Sequence, residues 1–162
     1  MPTGVSAWEL IDKELAFSLA EEYKDFLREA KTEREVISFI VREAGKRGFS
    51  SLQSQSSLSR GDRVIMTTES SAFMAIIGES PPSEGMMIMV SHVDSVRLDL
   101  KHIPLYEDLG LVMLKTRYYG GLKKYQWTSI PLELRGVVAL KSGEVVEVRI
   151  GSSPGDPILY IP

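Results

Sequence analysis

A histidine and an aspartate stand two residues apart where an apolar run of the sequence ends. The run covers residues 86–90, and His92 and Asp94 follow it after a single serine. Side chains at positions i and i+2 of an extended chain point the same way. The Asp94 carboxylate can therefore orient the His92 ring through one nitrogen while the other nitrogen binds a metal. The structural alternative is a hydrogen-bonded histidine at a strand terminus, with Asp94 capping the next turn.

The apolar run itself predicts where this pair lies in the fold. Its letters, MMIMV, do not alternate between apolar and polar, which favours an interior strand covered on both faces. Ligand-binding and catalytic groups of open α/β sheets collect at the carboxyl ends of such strands. A His-x-Asp spacing alone does not separate a metal site from the structural alternative, so the longer context has to decide.

Helices and strands are predicted ahead of this run. Apolar residues at helical spacing predict an amphipathic helix over residues 7–30. Thr32 and Glu35 form a capping box that opens a second helix, which Gly48 is placed to end. The apolar runs 63–68 and 71–78 predict two strands. The fold class is therefore α/β, with residues 1–101 forming one unit of two helices and several strands.

The pattern of apolar and polar residues changes after Lys101. Short apolar runs separated by glycine-containing turns predict consecutive strands, and the letters KSGE at 141–144 predict a tight hairpin. No helical periodicity is present from residue 102 onward. Residues 102–162 are therefore predicted to form an all-β unit. The runs in question are LGLVMLKTRYY, KKYQWTSIPLELRG, VVALKSG, EVVEVRIGS and PILYIP.

Composition excludes several classes of function. The formal net charge is −3, which argues against nucleic acid and anionic membranes as partners, despite the basic and aromatic letters RYYGGLKKYQW. No segment reaches the ~18 apolar residues that a membrane helix requires. The absence of cysteine rules out disulfides and thiolate metal sites and fits a reducing cytoplasm, where we expect the protein to lie.

The stretch 91–136 resembles the zinc aminopeptidases of the aspartyl aminopeptidase family, also called tetrahedral aminopeptidases. The family pattern begins His-x-Asp-Ser-Pro-Arg-Leu-Asp, and this chain departs from it at Val96, where the family usually has proline. The loss of the proline ring frees one backbone torsion in the turn after Asp94. The matching residues are His92, Asp94 to Ser95, Arg97 to Asp99, Pro104-Leu105, Lys115-Thr116, Tyr118 to Tyr125, Trp127 and Ile130 to Leu132.

The resemblance implies a role for each residue of the pair and an architecture for the chain. His92 stands where the family has the first ligand of a two-zinc centre, and Asp94 stands where it has the carboxylate that orients this histidine. Residues 1–101 resemble the first part of the catalytic α/β domain. Residues 102–162 resemble the first part of the β-rich dimerisation domain, through which the family assembles into hollow dodecamers. The resemblance therefore implies a homo-oligomer.

The other catalytic groups of such an enzyme are not found in the sequence. Catalytic zinc requires three protein ligands and an open position, and the family also uses a glutamate as general base. Glu21 and Glu22 lie on a predicted helix and form a solvated face, while His102 has no partner motif and is interpreted as a surface or packing residue. The 162-residue chain alone is therefore predicted to be inactive.

Three interpretations of the function remain open. In the first, the chain is either the N-terminal fragment of a metallo-aminopeptidase or one half of a split enzyme of this kind. When completed by a second polypeptide, it would remove N-terminal residues from peptides with zinc-activated water. Alternatively, it is a catalytically inactive scaffold that oligomerises, or it is a truncation product. The preferred N-terminal residue of the substrate does not follow from the sequence.

Overall fold

The structure is a computed structural model, and it describes residues 4–162. The chain divides into two compact units, Met1–Val93 and Asp94–Pro162. We describe each unit by itself. The division falls before Lys101, the residue after which the sequence pattern changes. The assignment of residues 1–101 and 102–162 to two family domains stays a prediction.

Three α-helices open the first unit: α1 (Ala7–Leu10), α2 (Lys13–Glu29) and α3 (Glu33–Lys46). The prediction of one continuous helix over residues 7–30 is wrong. The chain is extended at Asp12, whose carboxylate accepts hydrogen bonds from the backbone N–H of Glu14 at 2.9 Å and of Leu15 at 3.2 Å. Asp12 is therefore the N-cap of α2, because its carboxylate accepts hydrogen bonds from the first free N–H groups of that helix.

The capping box predicted for α3 is confirmed. The Thr32 hydroxyl accepts a hydrogen bond from the Glu35 backbone N–H at 3.3 Å, and the Glu35 carboxylate accepts one from the Thr32 N–H at 3.0 Å. The predicted end is also confirmed, since Gly48 follows the helix with a φ of 78° that glycine adopts without strain. Two reciprocal hydrogen bonds thus fix the start of α3.

Helix α3 supplies most of the core of the first unit. Its residues Val36, Ile37 and Ala44 are buried, together with Ala30 ahead of the helix. The Phe39 ring packs edge-on against Phe26 of α2, with centroids 4.8 Å apart. The two helices are therefore joined by an apolar contact near the C-terminal end of α2.

A three-stranded sheet completes the ordered part of this unit. It consists of β1 (Ser50–Ser51), β2 (Arg63–Thr67) and β3 (Ala72–Ile76), in that spatial order. β1 and β2 run parallel, and β2 and β3 run antiparallel. The two strands predicted from the apolar runs are confirmed, and Val64 of the central strand is the most deeply buried side chain in the core.

The predicted interior strand at residues 86–90 is not formed. Within the described residues, 4–162, this segment belongs to no helix, strand or isolated bridge. The strand prediction is therefore wrong for this chain. The physical reason is that an interior strand needs a hydrogen-bonded neighbour on each edge and a packed layer on each face, and the described chain provides none of these to the segment.

Two antiparallel hairpins form the second unit. The first pairs β4 (Arg97–Asp108) with β5 (Leu111–Tyr119), and its turn places Leu109 and Gly110 at φ values of 51° and 75°. Two consecutive residues with positive φ match the twist of the strands they join. The second pairs β6 (Leu134–Ala139) with β7 (Val145–Ile150), so the hairpin predicted at residues 141–144 is confirmed.

The strand predicted over residues 123–136 is only partly formed. A 3₁₀ turn, Lys124–Gln126, lies near its start, and only its last residues, from Leu134 onward, belong to β6. Between these elements the chain makes two isolated bridges to the C-terminal segment, Thr128 with Ile161 and Leu132 with Leu159. The aromatic and apolar residues correctly predicted β structure here, but they did not predict how short the strand is.

A carboxylate organises the loop that follows β7. Asp156 accepts hydrogen bonds from the backbone N–H groups of Gly151 at 2.9 Å, Ser152 at 3.1 Å and Ser153 at 2.9 Å. These donors, with Ser153 foremost, hold the pKa of the Asp156 carboxyl below its usual range. The loop thereby returns the chain toward its bridge at Leu159.

Replacement of Thr32 by alanine tests the capping box. Thr32→Ala is expected to lower the free energy of unfolding by about 1 kcal/mol, because a helix N–H donor loses its partner. Urea denaturation followed by circular dichroism measures the change. Ser38→Ala, on the exposed side of the same helix, is the matched control and should not lower stability. Equal midpoints for Thr32→Ala and the parent chain would contradict the assignment.

Replacement of Asp156 tests the loop through its pH dependence. Because the folded-state pKa is depressed, the stability that the carboxylate contributes is present above its ordinary pKa of about 3.9 and is lost as the pH falls through the lower folded value. Asp156→Asn should therefore be less stable than the parent chain at pH 6, and the difference should shrink below about pH 4. Asp108→Asn removes one charge outside this loop and serves as the control in urea titrations at each pH. A stability difference that does not change with pH would refute this role.

Candidate functional site

The predicted pair lies in an irregular segment that leads into β4. His92 is exposed and belongs to the first unit, and Asp94 is half-buried and begins the second. Each of the two residues makes at least one interaction in the structure. Their roles as metal ligand and orienting carboxylate stay predictions, because the strand that was to present them is not formed.

An ion-pair cluster lies at the start of β4, directly after the pair. The Arg97 Nε donates to a carboxylate oxygen of Asp99 at 2.8 Å, and Arg117 reaches the other oxygen at 3.4 Å. The Arg97 guanidinium also lies 3.7 Å from the centroid of the Tyr119 ring. Both arginines therefore hold β4 to β5 at this end of the hairpin.

Sequence reasoning did not predict this cluster. The residues that form it are visible in the sequence, but their pairing is visible only in the hairpin register, which places Arg97 opposite Tyr119 and Asp99 opposite Arg117. Opposite charges facing each other across two antiparallel strands stabilise the pairing. Register is a long-range property, and it does not follow from the letters Arg-Leu-Asp alone. The cluster fixes the backbone three residues after Asp94.

The residue that departs from the family pattern packs against a glycine turn. Gly120 has a φ of 73°, and a Cβ atom placed on it would lie 3.2 Å from the Cγ1 of Val96. The turn after β5 therefore needs glycine for two reasons, its backbone conformation and the nearby valine. This contact and the Arg97 cluster hold the entry to β4 from two sides.

The two other candidates from the sequence lie elsewhere in the chain. His102 is exposed on β4, in agreement with its interpretation as a surface residue. Glu21 and Glu22 are exposed on α2, where Glu21 pairs with Lys24 at 2.8 Å. These side chains form ordinary solvated surfaces.

The residues present do not by themselves fit a catalytic zinc ion. Across residues 4–162, no group of three or more His, Cys, Asp or Glu side chains is placed to hold a metal. A catalytic zinc needs three protein ligands, and the candidate segment offers one histidine. We therefore derive no reaction step through a metal from this chain alone.

Comparison with known proteins identifies the family. The profile of the aminopeptidase I zinc metalloproteases (M18) matches residues 26–162. The chain belongs to the M18 family. The match includes His92, Asp94 and the whole second unit, so the resemblance read from residues 91–136 is confirmed.

Relatives and solved structures agree with this assignment. A probable M18 family aminopeptidase 1 of Borrelia garinii subsp. bavariensis is 49% identical over 152 residues, which cover 93% of this chain and 33% of the relative. The crystal structure of aminopeptidase I from Borrelia burgdorferi B31 matches 96% of this chain and 39% of its own, at 44% identity and a TM-score of 0.89. The M18 aminopeptidase structure from Thermotoga maritima gives 35% identity and a TM-score of 0.88, over 98% of this chain and 35% of that one.

The chain spans about a third of the length of the M18 relatives that it matches. The α/β class predicted from the sequence is confirmed, since helices and sheet strands match M18 structures. None of the described helices is long and apolar enough to cross a membrane.

Replacement of Gly120 tests the turn at the entry to β4. Gly120→Ala should cost about 1–2 kcal/mol, because alanine is strained at positive φ and its methyl group meets Val96. Adding Val96→Ala should restore only the steric part of that loss. Gly121→Ala, whose Cβ would have no neighbour within 4 Å, is the control. Urea titration followed by the fluorescence of the two tryptophans, Trp8 and Trp127, measures the change, and tolerance of Gly120→Ala would contradict the packing described.

Proposed function

We propose that this chain is the part of an M18 metallo-aminopeptidase that carries one zinc ligand, His92, with Asp94 as the residue that orients its ring. The family match over residues 26–162, which includes both residues, carries the proposal. Once the remaining ligands and a general base are supplied, the assembly removes N-terminal residues from peptides. The aminopeptidase names of relatives at up to 49% identity support this reaction class.

The environment of the pair suits these two roles. His92 is exposed, so its ring is accessible to a metal whose other ligands come from elsewhere. Asp94 is half-buried and is followed by the anchored start of β4, and a carboxylate with restricted motion fixes the orientation of a neighbouring imidazole. In this proposal the Arg97 cluster and Val96 position the backbone of Asp94 and do not contact the substrate.

The second unit is proposed to join copies of the protein to one another. Two-stranded hairpins are marginally stable in water without further cover. Ile103 and Val112, on β4 and β5, are 80% and 77% exposed. Large exposed apolar side chains on paired strands are typical of interaction surfaces. We accordingly propose a homo-oligomer that acts on peptides.

The composition supports the remaining proposals on partners and location. The net charge of −3 leads us to propose that the protein does not bind nucleic acid or membranes, and the absence of cysteine leads us to propose that it lies in the cytoplasm.

The alternative candidate is a catalytically inactive scaffold. The exposed hairpin side chains and the single candidate ligand would both suit a protein that only assembles. A scaffold would form its oligomer without binding zinc, and hydrolysis would not depend on His92. The two candidates therefore differ in metal content and in activity.

Replacement of His92 in a completed assembly tests the proposal. The chain is co-expressed with the part of the Borrelia burgdorferi aminopeptidase I that lies outside its matched segment. Zinc is counted by elemental analysis, and hydrolysis is followed on a panel of aminoacyl p-nitroanilides. His92→Ala should remove zinc from the complex and lower kcat at least a hundredfold. Asp94→Asn should weaken zinc affinity by roughly 10–100-fold, the usual effect of losing an orienting carboxylate.

His102→Ala is the matched control and should leave both zinc content and hydrolysis unchanged. A complex that forms without zinc and without hydrolysis would refute the enzyme and favour the scaffold. Hydrolysis that is unaffected by His92→Ala would refute the assigned ligand.

A further inference from the structure

Four side chains at the start of β4 and the end of β5 share one face of the first hairpin. The register places Arg97 opposite Tyr119, and two residues further along β4 it places Asp99 opposite Arg117. Residues that face each other across two strands, and residues two apart on one strand, point to the same side. Two guanidinium groups, one carboxylate and one aromatic ring are therefore collected on this face.

Arg97 is the member of this group that makes two close contacts. Its Nε donates to the Asp99 carboxylate at 2.8 Å, and its Cζ lies 3.7 Å from the centroid of the Tyr119 ring. The side chains of Arg97 and Asp99 are only 31% and 22% exposed, so water and salt screen this ion pair less than a surface pair. Arg117 reaches Asp99 at 3.4 Å and is 71% exposed, which makes it the weaker of the two partners.

The contacts of Arg97 fix the point at which the irregular segment becomes a strand. Asp94 lies three residues ahead of it and is half-buried. Val96, between them, lies beside the Gly120 turn, where a Cβ atom placed on the glycine would be 3.2 Å from the Cγ1 of the valine. Only Ser95 separates Asp94 from these two anchored residues. The backbone of Asp94 therefore has few conformations open to it while Arg97 keeps its place.

We propose that Arg97 is a positioning residue for Asp94, and that it acts through the planar shape of its guanidinium group rather than through its charge. The proposal rests on the proposed function, in which Asp94 orients the His92 ring, and adds the residue that holds Asp94 itself. Stacking on Tyr119 while donating sideways to Asp99 requires a flat group with an N–H at its edge. The ammonium group of lysine carries the same charge but has neither property.

The structural alternative is that Arg97 only stabilises the hairpin. A residue of that kind changes the free energy of unfolding, but the molecules that remain folded keep the same backbone at Asp94. A positioning residue changes the mobility of Asp94 within the folded molecule. Measurement of backbone mobility in the folded chain therefore distinguishes the two roles.

Nitrogen-15 NMR relaxation of the complete chain tests the placement of Asp94 without a partner. The order parameters of the Asp94 and Ser95 amides are expected near the value of about 0.85 that rigid backbone gives. In Arg97→Lys they should fall toward the value of about 0.6 that marks flexible backbone. Arg149→Lys is the matched control and should leave both order parameters unchanged. Arg149 also pairs with a carboxylate two residues away on its own strand, Glu147 at 3.6 Å, but it lies in the other hairpin.

A pair of Tyr119 variants gives the same readout if Arg97→Lys does not fold. Tyr119→Leu removes the ring on which the guanidinium group lies, and Tyr119→Phe retains that ring. Tyr119→Leu should lower the order parameters of Asp94 and Ser95, and Tyr119→Phe should keep them at the values of the parent chain. Equal mobility in the two variants would overturn the role of stacking.

Hydrolysis by the completed assembly tests the consequence for the reaction. The chain is co-expressed with the remainder of the Borrelia burgdorferi aminopeptidase I, and rates are divided by the amount of assembled complex. Arg97→Lys should lower kcat by roughly tenfold or more and leave KM within about twofold, because a displaced Asp94 affects the reacting groups and not the binding of the peptide. Arg149→Lys should leave both constants unchanged.

The outcomes separate this proposal from the proposed function. Order parameters in Arg97→Lys equal to those of the parent chain would overturn the positioning, whatever the rate of hydrolysis. A lower order parameter with an unchanged kcat would also overturn it, because the mobility of Asp94 would then have no effect on the reaction. A lower order parameter in Arg97→Lys, together with a parent assembly that does not hydrolyse peptides, would support the placement of Asp94 and refute the proposed enzyme.

Discussion

A β-strand with apolar side chains on both faces is stable only when neighbouring strands and packed layers surround it, and this constraint governs the first unit. The regular elements of that unit bury five side chains, which come from α3, from β2 and from Ala30 at the end of α2. The segment that leads to His92 has no such surroundings among the described residues and stays irregular. The conformation of the segment that leads to His92, the proposed metal ligand, thus depends on cover that the described residues do not supply.

The second unit is arranged differently, because its chain is fixed by local contacts. The Arg97 cluster, the glycine turn beside Val96 and the Asp156 loop each use groups that lie in the same hairpin or its adjoining loop. The first two of these hold the entry to β4, and the Asp156 loop fixes the chain after β7. In the proposed enzyme, Asp94 would therefore be placed by the second unit.

The sequence predicted those elements whose determinants are local. The capping box at Thr32 and Glu35, the apolar runs that became β2 and β3, and the turn at residues 141–144 all depend on residues close in the chain. Met86–Val90 was predicted as a strand from its apolar letters, but pairing depends on distant chain. The break at Asp12 was missed because its capping side chain stands within a continuous helical periodicity. The family resemblance was recognised from residues 91–136. The same residues did not predict which side chains face each other across the hairpin.

The most direct test of this account is native mass spectrometry of the untagged protein purified from its source. We expect zinc to be bound, together with either a longer single chain or a second polypeptide in a defined ratio to this one. Release of zinc from the corresponding His92→Ala protein would complete the result. A metal-free homo-oligomer of the 162-residue chain alone would contradict the account, because it would show that neither the covering polypeptide nor the metal belongs to the native assembly.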